Sequence, residues 1–268
     1  MSGNRLLRTE EAGDPNGQPV LVLHGTPGAG VFYGPHATDA LEKGIRLITY
    51  DRPGYGGSTA RPGRSVGDCA EDIRAIADAL GIDRLAVWGM SGGGPYALAS
   101  AALLPGRVVA VGTVASPAPY GAPGLDYFAG MEQANIDDIK LMLEDKATAR
   151  ANLGPERDAM LALQSDQPAP ALAEFLVRGF HAGLAPGGEG WWDDSVAQLS
   201  PWGFEVNSIT VPVQLWHGRQ DRFVPFAHGE WLARAIPGVD AHLTMDDGHE
   251  TVLQRHIPQL HSWLLNYF

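Results

Sequence analysis

The segment Arg84–Ala99 restricts the fold of this chain more than any other. Leu85 to Trp88 reads as a short apolar strand, Gly89 to Gly94 as a turn made mostly of glycine, and Pro95 to about Leu104 as an alanine- and leucine-rich helix. A strand that passes so abruptly into a helix places the turn at the carboxyl edge of a sheet. Ser91 lies at the centre of Gly89-Met90-Ser91-Gly92-Gly93, a G-x-S-x-G pattern. A serine on so sharp a turn has a strained backbone, and its flanks must be free of side chains. In return its Oγ is exposed above the positive end of a helix. The five-residue pattern is weak alone, since chance supplies about 0.2 matches in a chain this rich in glycine. The order strand, turn, helix gives it weight; the bland reading is a glycine-rich βα turn without chemistry.

The rest of the chain repeats the same alternation. An edge strand is expected around Leu6 to Glu10, followed by a turn at Asp14-Pro-Asn-Gly. Pro19 to Leu23 is a continuous apolar run, the mark of a strand buried on both faces, and Ile45 to Tyr50 reads as a second buried strand. Ser65 to Gly81 carries Val66, Cys69, Ile73, Ile76 and Leu80 at helical spacing, and Gly81 stops it. Val108 to Ala115 is a further strand, Val211 to Trp216 another, then a helix over Phe226–Ala235, a strand over Ala241–Met245 and a helix over Thr251–Leu265. Strands of the buried type alternating with helices predict a mostly parallel, doubly wound α/β sheet. Between about Ala118 and Val206 the alternation stops. Helices are expected there near Leu125–Leu143, Glu144–Leu153, Glu156–Gln164, Ala169–Ala182 and Trp191–Leu199, without a strand. Residues 1–117 and 207–268 therefore read as one core domain, and 118–206 as a helical insertion.

Charge narrows the range of partners. The net charge is −12, of which the insertion carries −9 through 14 acidic and 5 basic residues. That balance disfavours nucleic acid and anionic membranes, and reads most simply as a solvated surface. The single cysteine, Cys69, excludes an intramolecular disulfide, fits a reducing compartment and sits on an apolar helix face as core filler. The apolar run near the start is too short for a signal peptide, and no run approaches a membrane span. A cytoplasmic protein is expected; the sequence leaves the oligomeric state open.

A serine hydroxyl needs a neighbouring base, and an imidazole base needs a third group to orient it. Of nine histidines, His249 is the best placed, on the loop after the last strand in Met245-Asp-Asp-Gly-His249. The strand Val211 to Trp216 leads into His217-Gly-Arg-Gln-Asp221, which offers the acid. Asp246 and Asp247 lie too close to His249 in sequence to reach its ring easily, and read as surface or loop-capping groups. The order Ser91, Asp221, His249 matches one of the three known arrangements. His36, His181, His217, His228, His242, His256 and His261 show no metal-ligand spacing, so no metal is expected. Two backbone N–H groups should face the oxygen on which charge develops. Gly92 offers one, and Thr26 in His24-Gly25-Thr26-Pro27-Gly28 is assigned the other. The glycines of that loop, followed by Asp51, imitate a dinucleotide site, but their spacing is not G-x-G-x-x-G; no cofactor is expected.

Taken together, His24-Gly-Thr-Pro-Gly, Asp51-Arg-Pro-Gly-Tyr-Gly-Gly-Ser, Gly-Met-Ser91-Gly-Gly, Gly218-x-x-Asp221-x-x-Val-Pro and Gly248-His249 resemble the α/β-hydrolase superfamily. The resemblance covers most of the chain outside the insertion. It implies a sheet of about eight strands, Ser91 as nucleophile, His249 as base, Asp221 as its orienter, and the insertion as a cap. Serine at position 91 disfavours the branches that use a carboxylate there, the haloalkane dehalogenases and epoxide hydrolases. The first motif also looks like that of proline iminopeptidases, but Thr26 stands where that branch usually has Gly, and Arg52-Pro53 where it has Gln-Arg. The expected activity is cleavage of small or medium apolar carboxylic esters through an acyl-enzyme. Phe32, Tyr127, Phe128, Trp191 and Trp192 are the candidate pocket residues, though Trp191 and Trp192 cannot both face inward from one helix. Two other readings stand beside it. In the iminopeptidase reading, acids such as Glu132, Glu174, Glu189, Asp193 and Asp194 would hold a substrate ammonium; in the other, a hydrolase-fold binding protein has only vestigial turnover.

Overall fold

The computed structural model describes residues 5–163 and 171–268. Its strands are β1 (Thr9–Gly13), β2 (Gln18–Leu23), β3 (Ile45–Tyr50), β4 (Leu85–Met90), β5 (Val108–Val114), β6 (Val213–Gly218) and β7 (Asp240–Thr244). They form one sheet in the order β1-β3-β2-β4-β5-β6-β7. β1 pairs antiparallel with β3, and the remaining pairings are parallel. The described residues thus hold seven strands where about eight were expected. The edge strand starts later than Leu6, because the Leu6 backbone bonds to Thr59 instead of the sheet.

Strand periodicity sorts the core into two layers. Leu21 and Leu23 of β2 point to one face, with Ile73, Leu98 and Leu232 of helices α2 (Cys69–Ala79), α3 (Gly94–Leu103) and α8 (Phe226–Ala235). Val20 and Val22 point to the other, with Ala40, Leu253 and Leu260 of α1 (Gly34–Glu42) and α9 (His249–Leu264). The chain runs from β2 out to β3, then crosses back to β4 on the other side of β2. The loops after β2 and β4 therefore meet at the point where the winding reverses, the place where such sheets open a crevice.

Between β5 and β6 the described residues hold four α-helices and no strand: α4 (Gln133–Glu144), α5 (Lys146–Leu161), α6 (Ala171–Leu184) and α7 (Glu189–Gln198). α4 begins eight residues after the expected Leu125, since Gly121, Gly124 and Gly130 take positive φ and keep the chain before it in turns. The break expected between Leu153 and Glu156 is absent. α5 continues through Pro155, with Leu153 buried against Gly188. The expected helix ends at Gln164 and Ala169 lie outside the described residues.

Candidate active site

The site is built from the turn after β4. Ser91 holds a left-handed φ of 49° in a short 3-10 turn, Ser91–Gly93, that leads into α3. The turn closes tightly: a Cβ at Gly89 would lie 2.3 Å from the Gly93 carbonyl oxygen. Glycine is therefore required at position 89 by space. The loop after β2 packs alongside, since a Cβ on Gly25 would sit 3.6 Å from that of Ser91. A Cβ on Gly92 would fall 2.5 Å from Thr26 Oγ1. The two residues assigned to oxyanion binding, Thr26 and Gly92, are thus immediate neighbours.

The carboxyl end of β6 carries Asp221, which is 3% exposed. Its Oδ1 accepts hydrogen bonds from the Phe223 and Val224 backbone N–H groups, at 2.9 and 2.8 Å, which fixes the carboxylate within its own loop. Its Oδ2 lies 2.7 Å from His249 Nδ1, and His249 is the first residue of α9. Backbone bonds from Arg219 to Thr244 and from Gln220 to Asp247 tie the two loops together. Asp247 is buried rather than on the surface, and its carboxylate bonds to Arg255 and His256; Asp246 is exposed.

Ser91 and His249 line one cavity of about 550 Å³, together with Gly25, Thr26 and Gly92. Helices of the insertion supply much of its wall, including Ile139, Met142, Leu153, Phe175 and Phe180. Of the five aromatic residues expected there, Tyr127 and Trp191 line the cavity. The other three do not. Phe32 packs in the core layer beside Tyr33 and Phe175, Phe128 meets Tyr120 and Tyr127 edge to face, and Trp192 lies under Arg150. Trp191 and Trp192 diverge as neighbours on a helix must. Met131 and His228 line the cavity without having been singled out, one because a thioether gives no sequence signal and the other because it reads as ordinary core.

No lysine or arginine is among the described residues lining this cavity, whereas Asp138, Glu156 and Glu250 are. Burial, and then Asp137, raise the Asp138 carboxyl; burial, and then Asp138, raise that of Glu156. The acids named for an ammonium site lie elsewhere. Asp194 and Asp193 pair with Arg64, Glu189 with Arg150 and Glu132 with Arg222, while Glu174 is exposed.

Asp194 is wholly buried, although it belongs to the insertion. It accepts from Arg52 Nε and Nη2 at 2.9 and 2.6 Å, from Arg64 Nη2 at 2.5 Å and from the Tyr96 hydroxyl at 2.7 Å. Burial alone would raise its carboxyl; Arg52 and Arg64 override that and hold it well below the usual carboxylate range. Burial, then the Arg52 charge, push His24 well below the ordinary imidazole value. His24 is therefore neutral: Nε2 accepts from the Arg52 N–H at 3.1 Å, and Nδ1 donates to the Gly25 carbonyl at 2.7 Å. This cluster of ion pairs had no signal in the sequence, since its members are up to 142 residues apart.

Among the described residues no helix is long and apolar enough to cross a membrane, and no His/Cys/Asp/Glu group could hold a metal ion. A family model described as the alpha/beta hydrolase fold matches residues 18–255. The 2-hydroxy-6-oxo-6-phenylhexa-2,4-dienoate hydrolase of Comamonas testosteroni is 30% identical over 256 residues, 91% of this chain and 85% of that protein. The pimeloyl-(acyl-carrier protein) methyl ester esterase of Nitrosomonas europaea is 28% identical over 258 residues, 89% and 91% of the two chains. Among solved structures, the enol-lactonase from Burkholderia xenovorans LB400 superposes with a TM-score of 0.71 at 21% identity, over 97% of this chain and 95% of that one. This last likeness bears on the fold alone. With the family match spanning most of its length, the chain belongs to the α/β-hydrolase family.

Proposed function

We propose that the protein is a serine hydrolase that cleaves neutral, apolar carboxylic esters. Ser91 attacks the ester carbonyl, His249 takes its proton and later delivers it to the leaving alcohol, and water then cleaves the acyl-enzyme with the same base. Asp221 holds the imidazole so that Nδ1 keeps its hydrogen and Nε2 is free to accept. The Gly92 and Thr26 N–H groups receive the charge that develops on the carbonyl oxygen. The observation that carries this reading is the 2.7 Å contact between His249 Nδ1 and Asp221 Oδ2, with His249 and Ser91 on the wall of one cavity.

Residues 118–206 act as the cap in this reading, since their helices wall the cavity opposite the strand ends. A volume of about 550 Å³ lined mainly by apolar side chains suits a small or medium ester. A lining without lysine or arginine among the described residues favours a substrate without a carboxylate. The relative from Comamonas acts, by its name, on a dienoate, which carries one. Asp138 and Glu156 keep an aminopeptidase reading open as the second choice, because a substrate ammonium could be drawn toward them. A cytoplasmic setting suits the lone, buried Cys69.

Initial rates on p-nitrophenyl esters of increasing acyl length, on prolyl p-nitroanilide and on a 2-hydroxy-6-oxo-dienoate separate these readings. Ester hydrolysis with multiple turnover is expected to dominate. Faster cleavage of prolyl p-nitroanilide would replace the reading by the aminopeptidase one, and binding without turnover by that of a receptor.

A further inference from the structure

The loop that carries Thr26 is held by a group that the ester-cleaving chemistry does not use. Arg52, 1% exposed, spends only part of its donor set on Asp194. Its Nη1 donates to the His24 carbonyl, and its Nη2, which also serves Asp194, shares its two hydrogens with the Gly25 carbonyl at 3.0 Å and Thr26 Oγ1 at 2.9 Å. One guanidinium thus grips three consecutive residues. A side chain that served only to fasten α7 to the core would need none of these three contacts.

The Gly25 carbonyl and the Thr26 N–H are the two ends of one peptide group, which is trans. In a trans peptide they point in opposite directions. Whatever fixes the oxygen therefore aims the hydrogen. Two donors fix this oxygen, Arg52 Nη2 at 3.0 Å and His24 Nδ1 at 2.7 Å. Both draw electron density toward the oxygen, and hydrogen bonds in series strengthen one another in a low dielectric. The N–H at the far end becomes a better donor for an oxyanion.

The insertion completes the device. Asp194 and Gln198 are four residues apart on α7 and so share a face. Thr26 Oγ1 donates to Asp194 Oδ2 at 3.1 Å and accepts from Gln198 Nε2 at 3.0 Å. Asp194 also cancels the Arg52 charge, so the effect on the reacting oxygen is one of direction and hydrogen-bond strength, with little net field.

We infer that Arg52, clamped by Asp194 of the insertion, is a positioning residue that aims and polarises the Gly25–Thr26 peptide in the oxyanion hole. This makes the seating of α7 a condition for full transition-state stabilisation. The inference rests on the proposed acyl-transfer role of Ser91 and Thr26.

The test removes both charges at once, because removing either alone leaves the buried cluster of Arg52, Arg64, Asp193 and Asp194 one charge out of balance. In Arg52→Gln/Asp194→Asn the remaining buried pair, Arg64 with Asp193, is still balanced. On a p-nitrophenyl ester, kcat is expected to fall about 10- to 100-fold with KM within about threefold, as for a weakened oxyanion donor. The Ki of a trifluoromethyl ketone, whose adduct carries the oxyanion, should rise in proportion to the loss in kcat/KM. Arg52→Lys retains the charge but cannot reach all three acceptors, and is expected to lose about tenfold in kcat. It decides the matter should the double variant fail to fold. A kcat within threefold of wild type in a folded variant, a loss confined to KM, or an unchanged ketone Ki overturns the inference. Ser91→Ala serves as the control. If it is inactive while the Arg52 variants are not impaired, only this inference falls; if it keeps ester hydrolysis, the functional reading falls as well.

Discussion

Replacing Asp221 by Asn changes one atom of the site, and the structure says which hydrogen bond it breaks. Oδ1 accepts from the Phe223 and Val224 N–H groups at 2.9 and 2.8 Å, while Oδ2 faces His249 Nδ1 at 2.7 Å. An asparagine has one acceptor and one donor end. With its oxygen toward Phe223 and Val224 it keeps two backbone bonds and presents its NH2 to His249. With the amide flipped, it keeps the histidine bond but sets a donor against two buried N–H donors, at about 1–3 kcal/mol for each group left unpaired. The first orientation wins. His249 must then accept at Nδ1, which puts its single hydrogen on Nε2 and removes the base that Ser91 needs. A loss of about 10⁴ in kcat follows, the magnitude measured for the equivalent change in a well-studied serine protease, or about 5.4 kcal/mol. Because the loop keeps its bonds, the melting temperature should hardly move. The assay is kcat on p-nitrophenyl butyrate beside a thermal melt of the same preparation. A folded Asp221→Asn protein within tenfold of wild type would show that Asp221 does not set the tautomer of His249.

Gly92→Ala should lower kcat by at least about 10², because the new Cβ would lie 2.5 Å from Thr26 Oγ1 and push the neighbouring loop; an unaltered kcat counts against that placement. Asp138→Asn/Glu156→Gln should raise kcat/KM for an ester with a terminal carboxylate about tenfold relative to its neutral analogue, and an unchanged ratio would remove these acids from substrate choice. Acid should destabilise the fold through His36 and His228, whose pKa values are lowered by burial from 6.5 to about 3 and about 4. The unfolded chain takes up these protons below about pH 6.5 while the folded one refuses them. Stability is thus full above that pH and falls by about 2 kcal/mol per histidine at pH 5. His36→Phe should flatten the dependence of melting temperature on pH between 7 and 5; an equal slope in the variant contradicts it.

The parts of the fold that could be read from the sequence are those whose signal is local. β3 and α8 fall on the expected residues because Ile45, Leu47, Ile48 and Tyr50 mark one as a buried strand and Pro225 starts the other. Ser91 was legible because its turn, with φ 49° and a glycine required by space at position 89, leaves a compositional mark. α1 was missed. Its buried residues are only His36 and Ala40, too few and too small to mark a helical stripe. The continuity of α5 was missed because Pro155 ordinarily ends a helix, and packing of Leu153 against Gly188 depends on residues far away in sequence. The cavity wall was half legible, since hydrophobicity says that Tyr127 and Phe128 are buried or half-buried but not which of them faces the cavity. Least legible was Asp194, which reads as one more surface acid on an acidic insertion. Only the fold brings Arg52 and Arg64 to it, and only their charges make its burial tolerable.

Ser91 is proposed as the acyl-accepting nucleophile, and covalent labelling shows which residue takes the acyl group. The protein is treated with a fluorophosphonate, digested, and the modified peptide located by mass spectrometry while ester hydrolysis is followed in parallel. One adduct per chain is expected, on Ser91, formed in step with the loss of activity, absent in Ser91→Ala and slowed in His249→Ala. Labelling at another residue with activity lost, or undiminished ester turnover in Ser91→Ala, would contradict it.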